Sequence, residues 1–190
     1  ERILSASGPT AGKVQRPSDG GTPKRIAWIQ CVGSRDAACG APYCSSVCCM
    51  AATKEAVMTK EHDPEAETTI FYNDIRAFGK GFERYYETAQ KERGVRYVRG
   101  IPSAVKELQR SKNLLLRHTS DDGGVHEEAF DLVVLSVGVT PSAEAQKTAQ
   151  RMGVELNPYG FVRTGRFTPN RTSRPGVFVW PWSPWVQSSV

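Results

Sequence analysis

From residue 25 onward, apolar and polar positions fall into two rhythms, one suited to strands and one to helices. Residues 25–31 (RIAWIQC) form a nearly unbroken apolar run of strand length and predict a buried strand. Residues 47–62 then follow a helical period, with Val47, Met50, Ala51, Val57 and Met58 forming an apolar stripe and Lys54 near its middle. Residues 68–72 (TTIFY) are a second strand. Phe82, Tyr85, Tyr86 and Ala89 recur at i, i+3, i+4 and i+7, an amphipathic helix stopped by Gly94, and residues 95–98 supply a third strand. Extended pieces at 104–108 and 114–118 precede an Asp121-Asp122-Gly123-Gly124 turn and read as a meander. Residues 131–137 (DLVVLSV) have the continuous apolar character of a strand buried on both faces. Strand, helix, strand, helix, strand, meander and closing strand is the order of a Rossmann-like nucleotide-binding α/β domain.

The first 24 residues are different. Gly8-Pro9, Gly12, Pro17, Gly20-Gly21 and Pro23 interrupt them too often for a long helix, so they read as an irregular lead-in or linker. Gly8, Gly12 and Lys13 do not make a phosphate loop, because the glycines are too close and Val14 stands where Ser or Thr should follow the lysine. The expected organisation is a lead-in over 1–24, a Rossmann-like domain carrying the candidate centre over 25–140, and a return to a second domain over 141–190.

Composition narrows the classes. No apolar run approaches bilayer length, and no basic region followed by an apolar core opens the chain, so a cytoplasmic protein without membrane insertion is expected. A net charge of +5 spread along the sequence, rather than striped, describes a solvated surface and not a nucleic-acid footprint.

The candidate chemistry lies in Cys31, Cys39, Cys44, Cys48 and Cys49, all the cysteines of the chain within a single short run. In a reducing compartment such clustering points to metal or redox chemistry rather than structural disulfides, and thiolates favour zinc or iron-sulfur clusters over calcium or magnesium. A zinc site usually shows two separate C-x2-4-C knuckles; here Cys44-x3-Cys48 is one, while seven residues separate Cys31 from Cys39. The adjacent Cys48 and Cys49 crowd a single small ion but can reach separate corners of an iron-sulfur cubane. Spacing therefore favours iron-sulfur and leaves zinc, or purely structural thiols, as alternatives. The cysteines also stand where a nucleotide-binding domain would carry its first glycine turn. Residues 30–35 hold only Gly33 where G-x-G-x-x-G needs three glycines, which disfavours a pyridine-nucleotide site. A helix N-terminus in that position offers free amides and a positive dipole end, both suited to thiolates.

CVGSRD at 31–36, YCSSVCCMAATKEA at 43–56 and DIRAFGKGFE at 74–83 resemble the A-type subunit of heterodisulfide reductase and related anaerobic electron-transfer flavoproteins, over most of the chain from GPTAGK at Gly8 to about Gly176. The resemblance implies a thioredoxin-reductase-like fold with an inserted cysteine-rich loop, a 4Fe-4S cluster on Cys31, Cys44, Cys48 and Cys49 with Cys39 spare, and FAD in the complete subunit. It implies an oxidoreductase that relays electrons between flavin and clusters, partnered by other subunits of an electron-transfer complex and admitting a homodimer. The alternative from another class is a zinc-stabilised interaction module. The family's glycine-rich FAD fingerprint is not among these residues, so the chain alone is expected not to hold FAD.

Lys54, on the apolar stripe, is expected to point inward and tune the redox site, near the flavin. Asp74 and Arg76 are expected to pack their loop, and His62, His118 and His126 to be surface or turn residues. The interleaved tryptophans and prolines from Trp180 to Trp185 suggest a partner-docking tail or an altered terminus.

Overall fold

The computed structural model describes residues 2–120 and 123–179. The tryptophan-rich tail and the two aspartates of the 121–124 turn lie outside the described residues.

Among the described residues ten elements follow one another: β1 (Arg25–Val32), α1 (Cys48–His62), β2 (Glu67–Tyr72), α2 (Phe82–Lys91), β3 (Arg96–Arg99), β4 (Ala104–Glu107), β5 (Leu114–Thr119), β6 (Val125–Phe130), β7 (Leu132–Val137) and α3 (Ala143–Arg151). They belong to two compact units. The first comprises Glu1–Val32 and Val47–Ser136, the second Gly33–Ser46 and Val137–Val190.

In the first unit a four-stranded sheet runs in the order β3-β2-β1-β7. β1 and β2 are parallel, with Ile26 opposite Thr68 and Trp28 opposite Ile70, and β2 and β3 are parallel, with Phe71 opposite Val98. Parallel neighbours require crossover connections, and here α1 and α2 provide them, as the alternation of apolar runs predicts. The expected α/β, Rossmann-like class is what the sheet shows.

The two-residue period of β1 divides its side chains between two cores. Ile26 and Trp28 pack with Ala52, Ala56 and Val57 of α1, Ile70 of β2 and Ala89 of α2. Ala27 and Ile29 pack with Phe71, Leu116 and Phe130 on the opposite face, where the antiparallel meander β4-β5-β6 lies. Helices cover one face of the sheet and the meander covers the other. Trp28 carries a polar handle into the helix-side core, where its indole N–H donates to Glu55 Oε2 at 2.9 Å. Asp131 closes the start of β1, its Oδ2 accepting from the backbone N–H of Lys24 (2.7 Å) and Arg25 (2.9 Å).

Several expectations about burial need correction. β7 lies at an edge of the four-stranded sheet, and Leu135 and Val137 are exposed rather than buried on both faces. α2 forms where its period predicts, but it buries Ala89 and leaves Phe82 and Tyr85 exposed. His118 is 3% exposed. Its ring lies 4.9 Å from that of Phe71 and its Nε2 pairs with Glu128 Oε1 at 3.0 Å, which removes it from the surface class. The lead-in is irregular yet packed within the first unit: Leu4 is buried, Val14 lies against the helix-side core and the Gly12 carbonyl pairs with His62 Nδ1 at 2.7 Å.

The second unit holds α3, which the sequence pattern did not announce, because alanine is the only apolar residue type in AEAQKTAQR. Its start carries a conventional cap, with the Ser142 hydroxyl accepting from the Ala145 amide at 3.1 Å. Ala149, Val154 and Val162 form a small core in this unit.

Candidate metal centre

β1 ends in an abrupt change of backbone conformation. Cys31 has φ +60°, in the left-handed region that a non-glycine residue rarely adopts, and Gly33 follows at +67°. Such a turn at the carboxyl end of the first strand is where dinucleotide-binding domains place their glycine turn.

The segment Gly33–Ser46 folds within the second unit as a short hairpin. Arg35 N–H donates to the Tyr43 carbonyl (2.8 Å), and Asp36 and Ala41 exchange backbone bonds at 3.0 and 3.1 Å, with Cys39 at the exposed tip. Tyr43 anchors the hairpin, its ring 5.1 Å from those of both Tyr159 and Phe161. Two further contacts tie the segment to the chain beyond β7. Ser45 Oγ accepts from the Val139 amide at 2.9 Å, and Gly138 lies so close to Gly33 that a Cβ there would sit 2.5 Å from the Gly33 carbonyl oxygen.

Within this hairpin two thiols occupy contrasting surroundings. The Cys39 thiol donates to Asp36 Oδ2 at 3.1 Å, and that carboxylate pushes its pKa up while the bond pulls the Asp36 carboxyl down. A thiol held beside a carboxylate is a poor thiolate. The sulfur of Cys44 is instead an acceptor, receiving the Ser46 amide at 3.3 Å, and Ser46 takes φ +64° to deliver it. A sulfur that accepts an N–H is placed as a metal-bound sulfur is, with its lone pairs in use.

α1 begins at the cysteine pair. Val47 caps it without a side-chain hydrogen bond and no acidic residue occupies its first turn, so the N-terminal end of the helix dipole is uncompensated by any carboxylate of the helix itself. Cys48 is half-buried and Cys49 buried, its Sγ 3.7 Å from the Asp74 carbonyl oxygen. One turn on, Thr53 donates to the Cys49 carbonyl at 2.9 Å, and the Tyr97 hydroxyl lies 3.0 Å from the Thr53 hydroxyl. Burial, its largest cause, pushes the Tyr97 pKa up to about 12, so this phenol is a fixed donor. Asp74 and Arg76 pair with each other (3.3 Å), the loop-packing role expected of them.

Lys54 does not take the place expected of it. The buried face of α1 is Cys49, Ala52, Thr53, Ala56, Val57 and Thr59, and Lys54 is exposed, close enough to Tyr85 to influence that phenol. Small apolar residues surround α1 on most sides, and of the stripe Val47, Met50, Ala51, Val57 and Met58 the face that packs buries only Val57. An inward ammonium at this position is withdrawn.

Sequence reasoning also missed Gln30, Thr53 and Tyr97. Gln30 offered a signal, as the one amide inside the apolar run RIAWIQC; Thr53 and Tyr97 offered none. Gln30 is 1% exposed, and neither its Oε1 nor its Nε2 has a hydrogen-bond partner among the described residues.

The donor set fits a thiolate-held group. None of the five cysteines is in a disulfide, four are partly or wholly shielded, and the exposed one is the thiol paired with a carboxylate. A buried carboxamide with both ends unpartnered adjoins Cys31 in sequence. Cys31, Cys48 and Cys49 belong to the first unit and Cys44 to the second. Within either unit, no three His, Cys, Asp or Glu side chains among the described residues converge as the ligands of a single metal ion do.

Comparison with known proteins gives this arrangement a family. The profile of the pyridine nucleotide-disulphide oxidoreductases matches residues 7–180. The chain is 48% identical over 184 residues to the second A-type iron-sulfur subunit of CoB–CoM heterodisulfide reductase from Methanopyrus kandleri, covering 94% of this chain and 28% of that protein. It is 45% identical over 183 residues to the A-type iron-sulfur subunit of CoB–CoM heterodisulfide reductase from Methanocaldococcus jannaschii, with the same two coverages. The likeness read from the cysteine motifs is thereby borne out, and the chain spans little more than a quarter of the length of these relatives. Among solved structures, thioredoxin reductase of Lactococcus lactis is similar at a TM-score of 0.48 and 22% identity, over 81% of this chain and 42% of that one.

Proposed function

Because this chain belongs to the pyridine nucleotide-disulphide oxidoreductase family, we propose that it is the segment of an electron-transfer subunit that holds a four-iron cluster on Cys31, Cys44, Cys48 and Cys49. The observation that carries the proposal is the pair of cysteines opening α1 without a side-chain cap, in a domain whose first strand closes on Cys31-Val32 rather than running into a glycine fingerprint. When bound, such a cluster stores and releases one electron at a time.

The residues around it have separable tasks. Cys48 and Cys49 present their sulfurs at a helix N-terminus, where the dipole offsets thiolate charge. The Ser46 amide donates to the Cys44 sulfur. Thr53 and Tyr97 hold the first turn of α1 by its Cys49 carbonyl. Asp36 accepts a hydrogen bond from the Cys39 thiol and raises its pKa, which disfavours Cys39 as a ligand.

FAD completes the redox pair in the full subunit, with other subunits of a cytoplasmic complex as donor and acceptor. Support for the flavin comes from the family, and support for partner subunits from the names of the relatives, each of them one subunit of a reductase. Among the described residues no helix is long and apolar enough to cross a membrane.

Anaerobic purification followed by iron, acid-labile sulfide and zinc analysis tests the proposal. Iron and sulfide in equal amounts with a brown visible spectrum are expected, and they should be lost or altered when any of Cys31, Cys44, Cys48 or Cys49 becomes serine and kept in Cys39→Ser. A colourless protein carrying one zinc would instead establish the interaction-module alternative.

A further inference from the structure

The strand that leads to Cys31 carries a polar group in the wrong solvent. β1 alternates strictly through its buried stretch, with Ile26 and Trp28 in the helix-side core and Ala27 and Ile29 in the meander-side core, so position 30 belongs to the face that α1 covers. Its occupant is a glutamine, 1% exposed. A carboxamide has two donors and an acceptor, and burying all of them unpaired costs far more than an aliphatic side chain of the same volume would. No side chain or backbone group among the described residues satisfies either end.

Most of that face is apolar, with Thr59 of α1 and the Trp28–Glu55 hydrogen bond as polar points along it. Thr53, 0% exposed, directs its hydroxyl to the Cys49 carbonyl and meets Tyr97 there, while the other α1 residues in the core are Ala52, Ala56 and Val57. Of the buried polar side chains of β1 and α1 on this side, Thr53 and Thr59 donate to helix carbonyls, and Gln30, next to Cys31, has no partner among the described residues. An apolar residue at 30 would complete the core if nothing polar bound beside it.

We infer that Gln30 is a positioning and tuning residue of the proposed centre, its Nε2–H donating to a sulfur, thiolate or sulfide, of the group held by Cys31 and the α1 cysteine pair. The inference rests on the cluster reading and adds to it a neutral donor from the strand side. Sulfur in a cluster accepts such bonds, and each one stabilises the more negatively charged reduced state. Gln30 carries no charge and transfers no proton; it orders the site and raises its potential.

The experiment uses the anaerobically purified chain, wild type and Gln30→Leu, with iron and sulfide content measured first. Equal content, together with a midpoint potential lowered by at least tenfold in the one-electron equilibrium, about 59 mV, is the expected result. Pulsed electron paramagnetic resonance on reduced wild type labelled with 15N-glutamine should show a coupled side-chain nitrogen. This second measurement holds even if the leucine variant fails to fold. An unchanged potential in a fully loaded variant, or no nitrogen coupling in the wild type, overturns the role of Gln30 while leaving the cluster intact. A wild type without iron or sulfide overturns the cluster reading and this inference with it.

Discussion

The hydroxyls of Tyr97 and Thr53 lie 3.0 Å apart, and because Thr53 spends its single proton on the Cys49 carbonyl, the phenol must be the donor between them. β3 thereby grips the opening turn of α1 through two hydrogen bonds, a tie from strand edge to cysteine pair that no local sequence pattern encodes.

Tyr97→Phe removes only the outer bond of this tie and leaves the ring contact with Tyr86, 4.8 Å between centroids. A loss of about 1 kcal/mol is expected, the usual net value of one buried hydrogen bond. Urea denaturation at constant m-value measures it; an unchanged midpoint would mean that water replaces the phenol.

Gly138→Ala should be harmful for a steric reason and not a conformational one. The new methyl would lie 2.5 Å from the Gly33 carbonyl oxygen and 3.1 Å from its carbon, both backbone atoms that no rotamer change can clear. Displacing the segment that carries Cys44 is expected to cost on the order of 1–3 kcal/mol. Thermal unfolding of the variant beside Gly40→Ala checks this against a left-handed glycine with no atom near its Cβ.

Acid should weaken the first unit through Glu128. Arg96 above all, and His118, hold its carboxyl pKa down from 4.5 to about 2, and burial opposes them. A depressed carboxyl pKa contributes stability that is complete above the unfolded-state value and fades as pH falls from 4.5 toward about 2. Denaturation midpoints across that window should fall steeply in the wild type and more gently in Glu128→Gln; parallel curves would show that Glu128 does not carry the effect.

Cys39 is the most exposed thiol and should nonetheless react slowly. Asp36 raises its pKa, so at neutral pH little thiolate is present. Asp36→Asn removes the carboxylate and lowers that pKa, and alkylation of Cys39 followed by peptide mass spectrometry should accelerate several-fold. Equal rates would place the control of Cys39 elsewhere.

The strands and helices of the first unit could be read from the sequence because their periods differ. RIAWIQC is an apolar run of strand length, too short for a helix, and the spacing of Phe82, Tyr85, Tyr86 and Ala89 cannot be satisfied by a strand. The cysteine spacing likewise lay open in the sequence, since the choice of soft ligands is a matter of residue type and needs no coordinates.

Orientation and solvent were decided by the tertiary structure. α1 is ringed by small apolar residues, so its period gave a helix but no unique inner face; packing on Ile26, Trp28 and Ile70 chose Ala52 and Ala56 and left Lys54 outside. His118 looked like a surface residue until Phe71, distant in sequence, and Glu128 on the neighbouring strand enclosed it. The hairpin of Cys39 and Cys44 joined the second unit through Tyr43, Tyr159 and Phe161, a contact between segments more than a hundred residues apart. Local periodicity reports what a segment requires of its surroundings, whereas burial and hydrogen-bond partners come from chains of contacts that close only when the fold does. Gln30 belongs to both: its residue type was visible in the strand, but only the closed core showed that its carboxamide had been left without a partner.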